Sequence, residues 1–105
     1  MVCRIGDRMG CKLAEVIDAV EEIVPGEFAE EWDNCGMQLG DPEWRIEKIW
    51  VALDPLPEVI AAACQTDVDL VITHHPLILK PLSTIDVSRQ EGFIIQQALD
   101  RQVAI

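Results

Sequence analysis

The chain has 105 residues, which is enough for one small domain and too few for two. About half of the residues are hydrophobic and about a quarter are charged, a composition typical of a globular domain. Nineteen acidic residues against eight basic ones give a net charge of −11, which disfavours binding to nucleic acid or to an anionic membrane. Since no apolar stretch resembles a transmembrane helix or a signal peptide, we expect a cytoplasmic protein.

The first part of the chain predicts a tail, a helix and a loop. Residues 1–11 lack hydrophobic periodicity, so we expect a flexible extension before an α/β domain over residues 12–105. Apolar residues at helical spacing from about Lys12 predict an amphipathic helix that ends at Pro25. Turn-forming residues then predict a loop with a short strand at residues 37–39.

The remaining sequence alternates between strand and helix patterns. Residues 46–53 predict a strand, residues 57–65 a helix that opens with proline, and residues 69–72 a second strand. This order predicts a parallel β-α-β unit. Residues 91–102 predict another crossover helix, and residues 103–105 begin a further apolar strand. We therefore expect an α/β fold, a small sheet with a parallel β-α-β unit and flanking helices, and a chain that is part of a larger domain.

The two histidines of the sequence, His74 and His75, follow the second strand of this unit. Side chains alternate along a strand, so the pair can bind one ion only if the backbone turns, or it can bind two ions. Pro76 has no N–H for a sheet ladder, which predicts that the strand ends here. Ligands of α/β folds bind at such strand ends. We interpret the pair as metal ligands, and the alternative is two structural histidines, one packed and one solvated.

Asp54 follows the first strand of the same unit. Parallel pairing places it at the sheet edge that carries His74 and His75, where it could orient a histidine or a metal-bound water. It is also the one candidate for a catalytic general base that we identify. The alternative is an N-cap for the helix that begins at Pro57, a position that aspartate favours.

Four motifs occur in an order and spacing that are specific together: Trp32-Asp33-Asn34-x-Gly36-x-Gln38-x-Gly40, Ala52-Leu53-Asp54, Asp69-Leu70-Val71-Ile72-Thr73-His74-His75-Pro76-Leu77 and Lys80-Pro81-Leu82. With them the sequence resembles the N-terminal part of the Nif-three-like family, also called type 2 GTP cyclohydrolase I-like. The resemblance runs from about Lys12 to Ile105.

The resemblance implies a dinuclear divalent-metal protein that assembles as a hexameric ring. It assigns His74 and His75 as metal ligands, one for each ion, and leaves the metal open among zinc, iron and manganese. The family's other ligands lie in an H-T-x-x-D and an H-x-x-x-E motif, and this sequence contains neither. We therefore expect these residues to form half of a dinuclear site.

Two functions follow as hypotheses. The first is a metal-dependent hydrolase of the GTP cyclohydrolase type in the full-length parent, in which metal-activated water attacks a nucleotide-like small molecule. The alternative is a non-enzymatic metal-binding or regulatory interaction protein, or an inactive fragment. The chain has no G-x-x-x-x-G-K-[ST] loop, so nucleotide specificity is not visible in it. The apolar loop after Pro76 is interpreted as an oligomer contact, with a lid or a wall of the site as alternatives.

Overall fold

The computed structural model describes residues 10–24 and 34–105, which contain three helices and four short strands. In chain order these are β1 (Cys11–Lys12), α1 (Leu13–Ile23), β2 (Arg45–Ile46), β3 (Ile49–Ala52), α2 (Pro57–Gln65), β4 (Leu70–Thr73) and α3 (Gln90–Arg101). The predicted α/β class is confirmed. None of the helices in these described ranges is long and apolar enough to cross a membrane.

The β-α-β unit is formed by β3, α2 and β4. β3 and β4 pair in parallel, with Ile49 opposite Leu70 and Ala52 opposite Thr73. On the other side of β4, Ala104 forms an isolated parallel bridge to Leu70, so the predicted strand at residues 103–105 is present as a single bridge. The parallel pairing of β3 and β4 confirms the predicted parallel unit. β1 and β2 form a separate antiparallel pair.

The single strand predicted over residues 46–53 is wrong, because the chain forms β2 and β3 with a break between them. The break has a physical cause in Asp69. Its Oδ2 accepts the backbone N–H groups of Glu47 at 2.8 Å and Lys48 at 3.0 Å, so these amides are not available to a strand ladder.

The short strand predicted at residues 37–39 is also wrong. The N–H groups of Gln38 and Leu39 both donate to the carbonyl oxygen of Ile105, at 2.7 and 3.0 Å, and the N–H of Ile105 donates to that of Leu39 at 2.9 Å. These bonds all involve one residue of the facing segment, so they do not extend into a regular ladder. Gly40 follows with φ of +143°, a backbone conformation that L side chains rarely adopt. This segment is therefore a loop that is fixed to residue 105.

The start of α1 is fixed by the loop before β2. The N–H of Leu13 donates to the carbonyl oxygen of Trp44 and that of Ala14 to Pro42, which satisfies two helix-terminal donors. Cys11, within the predicted extension, pairs with Ile46 in the β1–β2 ladder. Residues 1–9 of that extension lie outside the described residues, as do the helix end predicted at Pro25 and the Trp32-Asp33 motif.

Two apolar clusters bury the β3–β4 sheet. Val71 lies in the cluster with Ile60 of α2 and Ile94 of α3, whereas Ile49 and Leu70 lie in the cluster with α1. Alternate strand residues thus contact different clusters, as the two faces of a sheet require. Ile49 is 1% exposed, but Val51, two residues further along β3, is 69% exposed. The core therefore covers the amino end of this strand and leaves its carboxyl end open.

Candidate metal centre

The parallel ladder continues past the ends of β3 and β4. The N–H of His74 donates to the carbonyl oxygen of Ala52 at 3.2 Å, and the N–H of His75 to that of Leu53 at 3.1 Å. These two bonds fix the backbone of the histidines beside the Leu53-Asp54 segment. The structure therefore places Asp54, His74 and His75 at one sheet edge, where parallel pairing predicts them.

Asp54 contacts His75 directly. Its Oδ1 lies 2.6 Å from Nδ1 of His75, and the side chains are 38% and 57% exposed. The N-cap residue of α2 is Leu56, and no side-chain hydrogen bond caps this helix. In the structure the Asp54 carboxylate is thus an imidazole partner and not a helix cap.

His74 and His75 lie close together although they are neighbours on a strand. Their ring centroids are 4.8 Å apart and their ring planes are inclined by 60°. The chain bends at both residues, and the hydroxyl of Thr73 donates to the carbonyl oxygen of His75 at 2.6 Å. Pro76 follows without an N–H for the ladder. This bend brings together two rings that a regular strand would direct to opposite faces.

The potential metal donors at this edge are the imidazoles of His74 and His75, with the Asp54 carboxylate beside them. Two exposed imidazoles are suitable ligands for zinc and for iron, and a carboxylate on the second ring nitrogen is the usual support of a metal-bound histidine. A structural zinc site closes with four protein ligands and a catalytic one with three. Among residues 10–24 and 34–105, no group of three His, Cys, Asp or Glu side chains is arranged to hold a metal. The two imidazoles are thus chemically suited to a divalent metal, for which they would supply two of the ligands.

The segment after the histidines is held by two residues of the first sequence motif. Asn34 Nδ2 donates to the carbonyl oxygen of Ile78 at 2.7 Å, and Gln38 Oε1 accepts the N–H of Ile78 at 3.0 Å. The sequence patterns did not predict the contact between Asn34 and Ile78. The signal was the Asn-x-x-x-Gln spacing, since Asn34 and Gln38 also bond to each other at 3.2 Å.

A shallow cavity of about 190 Å³ lies beside this edge, with Asp54, Pro76 and Glu91 in its lining. Pockets that enclose small molecules usually measure roughly 300 to 1,000 Å³. The cavity is thus smaller than a nucleotide needs, and His74 and His75 do not line it.

An α/β domain with a histidine pair at the carboxyl edge of its parallel strands defines a class of candidate metal proteins. The chain matches the family model of Duf34/NIF3 (NGG1p interacting factor 3) over residues 11–105, and it belongs to this family. The family resemblance of the sequence is confirmed.

Curated relatives carry one recurring name. The chain is 33% identical over 94 residues to the GTP cyclohydrolase 1 type 2 homolog of Streptomyces coelicolor, which covers 90% of this chain and 33% of the relative. It is 43% identical over 74 residues to the protein of the same name from Clostridium perfringens, covering 70% of this chain and 28% of the relative. The chain thus spans about a third of the length of these relatives.

Solved structures share the fold. A Bacillus cereus protein related to NIF3 superposes with a TM-score of 0.85 at 31% identity, over 94% of this chain and 27% of that one. Reduced HcgD from Methanocaldococcus jannaschii gives a TM-score of 0.84 at 30% identity, over 93% and 39% of the two chains. The fold is therefore that of one part of larger proteins related to NIF3.

Proposed function

We propose that His74 and His75 bind divalent metal and supply part of the metal site of a hydrolase of the GTP cyclohydrolase type. The observation that carries the metal proposal is the pair of exposed imidazoles at the carboxyl sheet edge, one of them bonded to Asp54. The names of the curated relatives support the reaction class. The complete activity belongs to a protein of the relatives' length.

In this proposal each residue has a separate task. The imidazoles of His74 and His75 are the ligands, for two ions of zinc, iron or manganese in the full-length subunit. A divalent cation, when bound, supplies Lewis acidity and lowers the pKa of bound water toward neutrality. The net charge of −11 of the whole chain favours the approach of cations to the protein. Asn34 and Gln38 hold the segment after the histidines through Ile78, so the edge keeps its shape.

A second candidate is a non-enzymatic metal-binding or regulatory protein. The observation in its favour is that the described residues contain no group of three potential ligands. Two imidazoles leave the remaining positions of an ion to water or to another chain, which gives weak binding. The two candidates agree on His74 and His75 and differ in whether a substrate is turned over.

Zinc titration of the purified chain by calorimetry tests the shared part of the proposal. We expect weak, saturable Zn²⁺ binding that is lost in the double variant His74→Ala/His75→Ala. The matched control is Asp100→Asn, which changes one exposed charge on α3 and should bind as the unmodified chain does. Equal binding by the double variant would show that the histidines are not the ligands.

Incubation with GTP separates the two candidates. A protein of the relatives' length that carries these residues should convert GTP with Zn²⁺, Fe²⁺ or Mn²⁺ bound, with the product identified by chromatography and mass spectrometry. Metal binding without turnover of GTP or related nucleotides would favour the non-enzymatic candidate.

We also propose that the protein is a cytoplasmic homo-oligomer, as a ring in the full-length form. Leu79, Ile85 and Val87, in the loop after the histidines, are 50% or more exposed, and apolar side chains of this kind suit a subunit contact. Light scattering coupled to size-exclusion chromatography should give a mass that is a multiple of the monomer mass. A monomer at all concentrations would exclude this assembly for the chain.

A further inference from the structure

We propose that Asp54 is a positioning residue that selects the tautomer of His75 with the proton on Nδ1 and so makes Nε2 the metal-binding atom. Tautomer selection is a property of the metal-free protein. The last part, coordination through Nε2, rests on the proposed function. The two parts are tested separately.

Asp54 Oδ1 lies 2.6 Å from His75 Nδ1. An ionised carboxylate only accepts hydrogen bonds, and a neutral imidazole has one N–H and one lone pair. The contact therefore requires the proton on Nδ1. The lone pair is then on Nε2, the atom that remains for a cation.

Other side chains could compete with Asp54 for the His75 ring. Within the part of the chain that the structure describes, Asp54 is the hydrogen-bonding partner of the His75 ring. The ring also contacts the ring of His74 in an edge-on arrangement. With the His75 side chain 57% exposed, Nε2 remains accessible to an ion from solvent. No described side chain thus opposes the tautomer that Asp54 favours.

The backbones of Asp54 and His75 are fixed beside each other in the metal-free protein. The bond from His75 N–H to Leu53 O fixes the two backbones beside each other. Asp54 precedes Pro55, and a residue before proline is restricted to extended conformations. Pro55 is itself buried. The backbones that carry the two side chains are thus fixed beside each other, which keeps the carboxylate within reach of the imidazole.

The consequence for binding is quantitative. A carboxylate on the second nitrogen fixes the ring and raises the basicity of the ligating nitrogen, and loss of such a partner typically costs about 10- to 100-fold in metal affinity. Asp54 therefore contributes to affinity without contacting the ion. This role differs from that of a catalytic base, since Oδ1 is already engaged by His75.

Long-range ¹H–¹⁵N correlation spectra of the metal-free, ¹⁵N-labelled chain read the tautomer directly. They are recorded at about pH 8.5, above the range in which unperturbed imidazole titrates. For the unmodified chain we expect the Nδ1–H form of His75. For Asp54→Ala we expect that preference to be lost, while Asp100→Asn keeps it. Asp54→Asn retains the side-chain shape and replaces Asp54→Ala if that variant fails to fold. Its amide can either donate to Nδ1 or accept from it, so the Nδ1–H preference should weaken.

The outcomes separate the two parts. An Nε2–H tautomer of His75 in the unmodified chain would overturn the proposal, and so would an Nδ1–H preference that persists in a folded Asp54→Ala variant. If the tautomer behaves as expected but Zn²⁺ does not bind the unmodified chain, tautomer selection stands and the proposed function fails. If Zn²⁺ binds, Asp54→Ala should weaken it about 10- to 100-fold, and unchanged affinity would overturn the role of Asp54 in metal binding.

Discussion

Two aspartates at opposite ends of the β3–β4 pair have different partners. Asp69 precedes β4 at the amino end and accepts two backbone N–H groups, from Glu47 and Lys48. Asp54 follows β3 at the carboxyl end and contacts the His75 imidazole. A backbone amide neither titrates nor binds metal, whereas an imidazole does both. The same side chain therefore supports the fold at one end and a candidate site at the other, and its partner decides which.

Burial differs between the ends in the same sense. Ile49, at the amino end of β3, is 1% exposed, and Val51 and Leu53, toward the carboxyl end, are 69% and 63% exposed. Groups that exchange ligands with solvent need an open surface, and groups that stabilise a small domain need a closed one. Substitutions at the two ends of β3 and β4 should therefore differ in their effects.

Truncation of Ile49 and Val51, two apolar residues of β3, should give the largest contrast. Ile49→Ala removes buried methyl groups and should lower the free energy of unfolding by about 2–5 kcal/mol. Val51→Ala changes an exposed side chain and should stay within about 0.5 kcal/mol. Urea unfolding followed by circular dichroism measures both. A cost above about 2 kcal/mol for Val51→Ala would mean that the carboxyl end is covered in solution.

Removal of the two carboxylates should separate their roles. Asp69→Ala leaves two amides without their charged acceptor and should cost about 1–3 kcal/mol of unfolding free energy, after allowance for partial exposure. Asp54→Ala breaks an exposed hydrogen bond to the His75 imidazole and should cost less than about 1 kcal/mol. The same urea experiment applies, with Asp100→Ala as the control. Equal costs for Asp54 and Asp69 would remove the distinction on which the comparison rests.

The free energy of unfolding at alkaline pH should depend on Cys64, a buried residue of α2. Burial raises the pKa of its thiol above the ordinary value, and Asp100 adds to this while Arg101 opposes it. A folded pKa above the unfolded one gives stability that is complete below the unfolded pKa and is lost as pH rises through the folded pKa. Cys64→Ala should therefore flatten the decline of unfolding free energy at alkaline pH. An unchanged slope would assign that decline to other groups.

A third aspartate, Asp86, should show the smallest effect because it lies in an exposed turn before α3. Hydrogen bonds from the hydroxyl and the N–H of Ser88 lower its pKa below the ordinary value. Its contribution is present above the unfolded pKa and is lost as pH falls through the folded pKa. In Ser88→Ala, NMR titration should show the Asp86 pKa rising toward the ordinary value. An unchanged pKa would show that Ser88 does not hold this carboxylate in solution.

Local sequence patterns predicted the helices well. Pro57 at the first helical position and the periodic apolar residues after it gave the bounds of α2, since both signals are contained in the helix itself. The break between β2 and β3 was missed because its cause, the Asp69 carboxylate, lies more than 20 residues further along the chain. A window of neighbouring residues carries no signal of such a contact.

The sequence predicted where the candidate site lies but not the contacts within it. Parallel pairing alone placed Asp54 and the histidines at one edge, because matching strand ends meet in a parallel sheet. Parallel pairing does not show whether Asp54 caps α2 or contacts a histidine, since aspartate suits both positions. The strand register shows that Asp54 contacts His75, because the bond from His75 N–H to Leu53 O places the two residues side by side. The bend that brings His74 beside His75 depends on the Thr73 hydroxyl, which the strand pattern does not reveal.

The most direct test of the metal assignment is anomalous diffraction at the zinc absorption edge from crystals of the chain grown with Zn²⁺. Our account predicts an anomalous peak at coordination distance from Nε2 of His75, with Nδ1 still bonded to Asp54. It also predicts His74 as a ligand of the same or a neighbouring ion. Peaks at surface carboxylates and none at either imidazole would contradict the account.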